Sequence, residues 1–177
     1  MGVDENAARR LVLLRHAKSD WPDVADHDRP LAKRGRRDAP RVGAWLRRSG
    51  YVPDAVVCST ARRARETWEL AAGGLGASPP VRYEPRVYDA TVLALLMLVR
   101  ELPGDQRTVC LVGHNPGLAE LAAGLAEHAP DDRARLGRLT ASFPTAAVAV
   151  LGFAGAWAGV EPGEGRLLAF AVPADMS

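Results

Sequence analysis

Lysine is nearly absent from this chain. Of 177 residues 23 are basic, yet Lys18 and Lys33 are the only lysines. No Gly-Lys pair occurs, which excludes the glycine-rich nucleotide loop that ends in lysine. Cysteine is also scarce. Cys58 and Cys110 each stand inside an apolar run and lack the spacing of a zinc site. They read as reduced thiols of a cytoplasmic protein rather than as a disulfide framework. Charge of one sign is missing as well: 23 basic against 21 acidic side chains leave +2, too little for a general nucleic-acid or membrane-surface binder. Long hydrophobic runs are missing too. Leu11 to Leu14 is too short for a signal-peptide core. Thr140 to Val160 is uncharged but is broken by Pro144, Gly152, Gly155 and Gly159, so it reads as strand and turn rather than a membrane span. Gly74-Leu75-Gly76 lacks the third glycine of a dinucleotide fingerprint and does not follow a strand.

What is present is an ordinary globular composition, 47% hydrophobic and 25% charged, in a length that buries a core without covalent staples. Residues 1–10 read as a disordered tail and residues 11–177 as one domain. Leu11–Leu14, Ala55–Cys58 and Thr108–Val112 are short continuous apolar runs, the pattern of strands covered on both faces. Between them, helical spacing appears from Lys33 to Arg48, where Pro40 is expected to kink or restart the helix. It appears again from Ala61 to Ala72, stopped by Gly73-Gly74, and after a Thr91 cap as far as about Glu101. A short strand is expected near Val81 and a further helix over Leu118–Glu127. Ala146–Leu151 and Leu167–Val172 close the chain as neighbouring strands. Strands alternating with helices imply an α/β fold around a mostly parallel sheet.

In such sheets the functional crevice lies beyond the carboxyl ends of the strands. Three strands end there in polar groups: Arg15-His16, Ser59 followed by Arg62, Arg63 and Arg65, and Gly113-His114-Asn115. Parallel neighbours would bring two imidazoles and one or more guanidiniums together. Guanidinium forks and helix N-termini suit a phosphate, and a neutral imidazole can serve as the nucleophile.

These segments resemble the histidine phosphatase superfamily, and within it the SixA type of phosphohistidine phosphatase. The resemblance is carried by Leu14-Arg15-His16-Ala17, Ser59 through Thr67 and Val112-Gly113-His114-Asn115-Pro116-Gly117, with support from Asp28-Arg29-Pro30-Leu31 and Thr145. It spans residues 11–173. It implies a single-domain three-layer α/β/α sandwich of the phosphoglycerate mutase-like kind. It also implies roles: His16 as nucleophile, Arg15 and Arg63 as phosphate clamps, His114 as a second histidine on the phosphoryl oxygens, and Ser19 as a pocket hydroxyl. Arg62 and Arg65 would lie off the pocket. Ala17 departs from the usual glycine. For the proton donor, the candidates in the connection after the second strand are Glu84 and Asp89, with Asp89 aligning better. The implied enzyme is a phosphatase without metal or cofactor, working through a phosphohistidine intermediate.

A cysteine-dependent phosphatase would need an arginine six positions after its cysteine, where Ala64 and Pro116 stand. Alternative readings are a small-molecule phosphomonoesterase acting on a sugar or nucleotide phosphate, and a non-catalytic phosphate-binding module. The expected partner is a phosphorylated substrate, such as a phosphohistidine-bearing protein, met by a monomer with neither nucleic acid nor membrane involved. Substrate choice would lie in the loops 18–30 and 77–90. The Arg-rich helix over 34–48 reads as a solvated face before it reads as a dock for an acidic partner.

Overall fold

The computed structural model describes residues 9–177; the first eight residues of the expected tail lie outside them. The first strand, β1, spans Arg9–Arg15 and begins two residues before the apolar run. It is followed by α1 (Lys33–Arg48), β2 (Ala55–Cys58), α2 (Arg62–Leu75), β3 (Val81–Tyr83), α3 (Val92–Arg100) and β4 (Thr108–Gly113). The chain continues through α4 (Gly117–Leu125), α5 (Arg133–Ala141), β5 (Val148–Phe153) and β6 (Arg166–Ala171).

The six strands form one sheet in the order β3-β2-β4-β1-β5-β6. The three pairings among β3, β2, β4 and β1 are parallel, whereas β5 runs antiparallel to both β1 and β6. The mostly parallel sheet expected from the alternating pattern is therefore mixed. The reason is local. Between β5 and β6 stand twelve residues with one 3-10 turn, Trp157–Gly159, and no α-helix that could carry a parallel crossover, so the two strands pair antiparallel.

The core divides by the two-residue period of the strands. Leu11 and Leu13 of β1 pack into a cluster with Leu95, Leu98, Leu118 and Leu121 of α3 and α4. Val12 and Leu14 point the other way, to Val42 and Leu46 of α1 and Trp68 and Leu75 of α2. Full burial on both faces explains why these strands lack polar alternation.

Glycines govern the α1–α2 contact. A Cβ on Gly43 would lie 1.7 Å from the Ala71 carbonyl oxygen, and one on Gly74 would lie 2.0 Å from that of Pro40. Neither position has room for a side chain, so the helices meet backbone to backbone. Accordingly α2 runs through Gly73-Gly74, which the sequence suggested as its end. It stops at Gly76, whose φ of 69° is the left-handed cap that glycine favours. Likewise α1 continues unbroken through Pro40. The helix α5 was not expected; Leu139 is the buried residue it contributes, so no apolar stripe marks it. Among the described residues, no helix is long and apolar enough to cross a membrane.

Candidate active site

The parallel registers bring three strand ends level. Arg15 is paired with Gly113, and Cys58 with Val112. The next amides continue the ladder, His16 N–H donating to the Gly113 carbonyl and Ser59 N–H to that of Val112, each at 3.0 Å. His16, Ser59 and His114 thus emerge side by side, where the sheet ends and the helices begin.

His16 is 7% exposed. Its Nδ1 donates to the carbonyl of Ala17 at 2.8 Å, which places the ring proton there and leaves a lone pair on Nε2. The Ala17 amide in turn donates to Thr67 Oγ1 at 2.9 Å, and that hydroxyl donates to the Arg63 carbonyl at 2.6 Å. The end of β1 is thereby tied to the first turns of α2. Burial, with the nearby His114, Arg63 and Arg15, pushes the His16 pKa down to about 3. Burial and the Arg63 charge take His114 to about 4. Both rings are neutral at pH 7, and their centroids stand 5.1 Å apart.

His114 Nε2 shares a 2.7 Å hydrogen bond with Ser59 Oγ. Because Ser59 is fully buried and its hydroxyl proton has no other acceptor among the described residues, that proton is best placed on His114 Nε2. The His114 proton then resides on Nδ1, a buried atom with no intramolecular partner. The Nε of Arg15 is likewise buried and unpartnered, while its Nη1 donates to the Phe143 carbonyl at 3.0 Å. Two donors are therefore left for a ligand. Burial and the Arg63 charge lower the Arg15 pKa from its usual value.

Arg63 is held from above. Its guanidinium donates to the Asp26 carbonyl at 2.7 Å and to Asp26 Oδ2 at 3.1 Å. Tyr88 Oη donates to the same Oδ2 at 2.6 Å, and Arg29 donates to Oδ1 at 2.8 Å. The Tyr88 hydroxyl and the two guanidiniums hold the Asp26 carboxyl far below the usual carboxylate range. Arg29 is itself buried. It binds the Asp20 carbonyl and Ser19 Oγ, and it stacks 3.3 Å from the centroid of Trp21. Above the strand ends opens a cleft of about 100 Å³ whose lining includes Asp26, Arg63, Tyr88, Asp89, His114 and Asn115. His16 and Arg15 do not line it; the His16 ring packs beside that of His114, which does.

The same arrangement is shared with known proteins. Residues 11–95 match the family model of the histidine phosphatase superfamily (branch 1). The structure superimposes on a candidate phosphohistidine phosphatase SixA from Nakamurella multipartitia with a TM-score of 0.80 and 36% identity, covering 93% of this chain and 96% of that one. The chain belongs to the histidine phosphatase superfamily. A second candidate SixA structure, from Agrobacterium tumefaciens, gives a TM-score of 0.76 at 30% identity over 93% of this chain and 98% of the other. A protein of Mycobacterium tuberculosis that carries no functional name is 46% identical over 161 residues, 90% of this chain and 99% of its own length.

In this histidine phosphatase, a phosphoryl hydrolase, the residues singled out from sequence divide into two groups. His16, Arg15, Arg63 and His114 converge. Asp89 lines the cleft with a left-handed backbone, φ 53°. Glu84 does not reach it. That carboxylate accepts from the backbone and guanidinium of Arg86, which hold its pKa below the usual value. Ser19 commits its hydroxyl to Arg29 and does not line the cleft. Arg62 lies off the pocket, paired with Glu66 at 2.8 Å. Sequence reasoning missed Asp26, Thr67 and Tyr88, and it took Ser59 only as a strand end. The Asp-x-x-Arg spacing of Asp26 and Arg29 is a signal that could have pointed to the brace. The two cysteines are buried, and burial pushes the Cys58 thiol up to about 12 and Cys110 well above its usual value. Neither supplies a thiolate nucleophile.

Proposed function

We propose that the chain is a protein phosphohistidine phosphatase of the SixA type, with His16 as its nucleophile and no metal in the reaction. The observation that carries this reading is the His16 ring, neutral and fixed by its Nδ1–H bond to Ala17 so that the Nε2 lone pair is free. Nε2 attacks phosphorus, a nitrogen–phosphorus bond forms, and the bond to the leaving nitrogen breaks with its electron pair going to that nitrogen. Water then attacks the phosphohistidine, an oxygen–phosphorus bond forms, the nitrogen–phosphorus bond breaks with its electron pair returning to Nε2, and the water's proton goes to the Asp89 carboxylate that gave up its own in the first step.

The phosphoryl oxygens would be met by Arg15, Arg63 and the Nδ1–H of His114, donors already placed in a water-poor site. The guanidiniums supply the charge neutralisation that a metal supplies elsewhere. Asp89, at the cleft wall, is the candidate proton donor. A phosphoramidate nitrogen leaves more readily than an alkoxide once protonated, so a weak acid suffices. The two core clusters, one on each face of the sheet, support the three-layer reading of the fold.

The test is a panel of a phosphohistidine peptide, an aryl phosphate and sugar phosphates, each assayed with and without chelator. Preferential hydrolysis of the peptide, unchanged by chelator, is expected. Preference for a sugar phosphate would move the assignment to a small-molecule phosphomonoesterase, and no turnover of any substrate would leave a phosphate-binding module.

A further inference from the structure

The cleft and the groups behind it carry charges of both signs. Arg63 lines the cleft beside His114, while Arg15 and His16 lie behind that lining, and both imidazoles are neutral at pH 7. Two carboxylates share the lining, the Asp26 one already paired with Arg63 and Arg29. Asp26, with half of its side chain exposed, and Asp89, also exposed, both line the opening. Carboxylates so placed repel an incoming phosphoryl group, so a site built only to gather anions would omit them. Asp26 has a second occupation, since it braces Arg63 and pairs with Arg29. Asp89 has none: among the described residues it makes no hydrogen bond or ion pair. It nevertheless holds a left-handed backbone that side-chain-bearing residues seldom adopt, although aspartate tolerates it better than most. The turn that imposes this conformation is fixed beneath by Gly117, where a Cβ would lie 2.6 Å from the Ala90 carbonyl oxygen.

We infer that Asp26 and Asp89 are specificity-determining residues that make the cleft favour phosphoryl compounds whose other end is positively charged. This rests on the phosphatase reading above and sharpens it. A phosphoryl group bonded to, or close to, a protonated nitrogen matches both signs at once: the anion meets Arg15, Arg63 and His114, and the cation meets the two carboxylates. The imidazolium of a departing histidine, an ammonium and a guanidinium all fit. A carboxylate or a second phosphate on the leaving side faces two like charges and is disfavoured.

Non-hydrolysable phosphonates separate this selection from any part Asp89 plays in proton transfer. Calorimetry would compare 2-aminoethylphosphonate, n-propylphosphonate and phosphonoacetate, which are cationic, neutral and anionic at the far end. The wild-type chain is expected to bind them in that order, the first about tenfold tighter than the last. Exposed charge contacts of this kind are worth roughly threefold in affinity apiece. Asp89→Asn should narrow the ratio about threefold. Asp26→Asn should narrow it less, because two guanidiniums already share its charge, and high salt should narrow it in every chain. A wild-type ratio at or below one, or a ratio unchanged in Asp89→Asn, overturns the inference even where inorganic phosphate binds. Failure of inorganic phosphate and all three phosphonates to bind overturns the phosphatase reading along with it. Should Asp26→Asn fail to fold, the Asp89→Asn ratio decides.

Discussion

The floor and the mouth of the cleft are built by different physics. At the floor, His16, Ser59 and His114 are placed by the β-ladder itself, since the amides of His16 and Ser59 continue the pairing of β1 and β2 with β4. At the mouth, residues 19–29 have almost no ladder, and one buried guanidinium, Arg29, gathers the loop through Asp20, Ser19 and Asp26. Hydrogen bonds between backbone groups tolerate changes of side chain. A loop held by a few side chains, here Arg29 with Arg63 and Tyr88 on Asp26, does not. On the proposed function, chemistry common to a family would be carried safely at the floor, and substrate choice would sit at the mouth.

The largest break in this comparison is at the floor. His16→Ala should lower turnover of an aryl phosphate by more than about 10³-fold, as loss of a nucleophile does. The melting temperature should stay close to that of the parent, because the ring is replaced where the backbone is held independently. Steady-state rates and a thermal melt check both halves.

Acid should come next. An unfolded histidine takes up a proton near pH 6.5, whereas His16 and His114 hold theirs only below about 3 and about 4. Between these limits the unfolded chain binds more protons, so stability falls as pH falls. With both rings contributing, the slope peaks at about 2.5 kcal/mol per pH unit near pH 5 and eases towards pH 4 as His114 takes up its proton. Denaturant midpoints across that range should show it, and His16→Ala should remove about half of the slope. The free-enzyme activity profile, corrected for substrate ionisation, should lack an acid limb near 6.5.

Ser59→Ala tests how the floor orients its second ring. The Ser59 hydroxyl bonds His114 Nε2 at 2.7 Å and so keeps the proton on Nδ1. Its loss should lower kcat about tenfold, less than deletion of an oxyanion-type donor would, with KM little changed. Equal changes in both parameters would mean that the serine is only structural.

Much of this was legible before the fold was known. The continuous apolar runs Leu11–Leu14, Ala55–Cys58 and Thr108–Val112 marked the strands, and the polar residues directly after them marked the site. The mouth was not legible. Asp26, Tyr88 and Arg63 are far apart in sequence and meet through side chains, which periodicity does not encode. Ser19 looked like a pocket hydroxyl by position along the chain, yet Arg29 claims it. Glu84 and Asp89 were both candidates, with Asp89 aligning better, and after β3 the chain pairs Glu84 with Arg86 and brings Asp89 to the cleft. The antiparallel course of β5 was hidden for a related reason, since an apolar run carries no direction.

Arg29→Met would loosen the mouth while leaving the floor alone. The methionine keeps the bulk under Trp21 but donates no hydrogen bonds, so Asp26 loses one of its two guanidinium partners. KM for an aryl phosphate should rise about fivefold, within the range seen when a charged hydrogen bond is lost, with kcat within about twofold. A kcat loss as large as that of Ser59→Ala would show that the mouth and the floor are one unit.

Cys58→Ser should have the smallest effect, and it bears on the boundary between the two regions. Cys58 is fully buried at the end of β2, immediately before Ser59, with its thiol pushed up to about 12 by burial. A hydroxyl of similar size costs some stability there, because a more polar group is desolvated. It leaves the ladder and the Ser59–His114 bond in place. Activity should stay within about twofold of the parent, and a thiol-directed alkylating agent should leave the native enzyme working. Complete inactivation by the substitution, with the fold intact, would contradict His16 as the nucleophile and reopen the thiol.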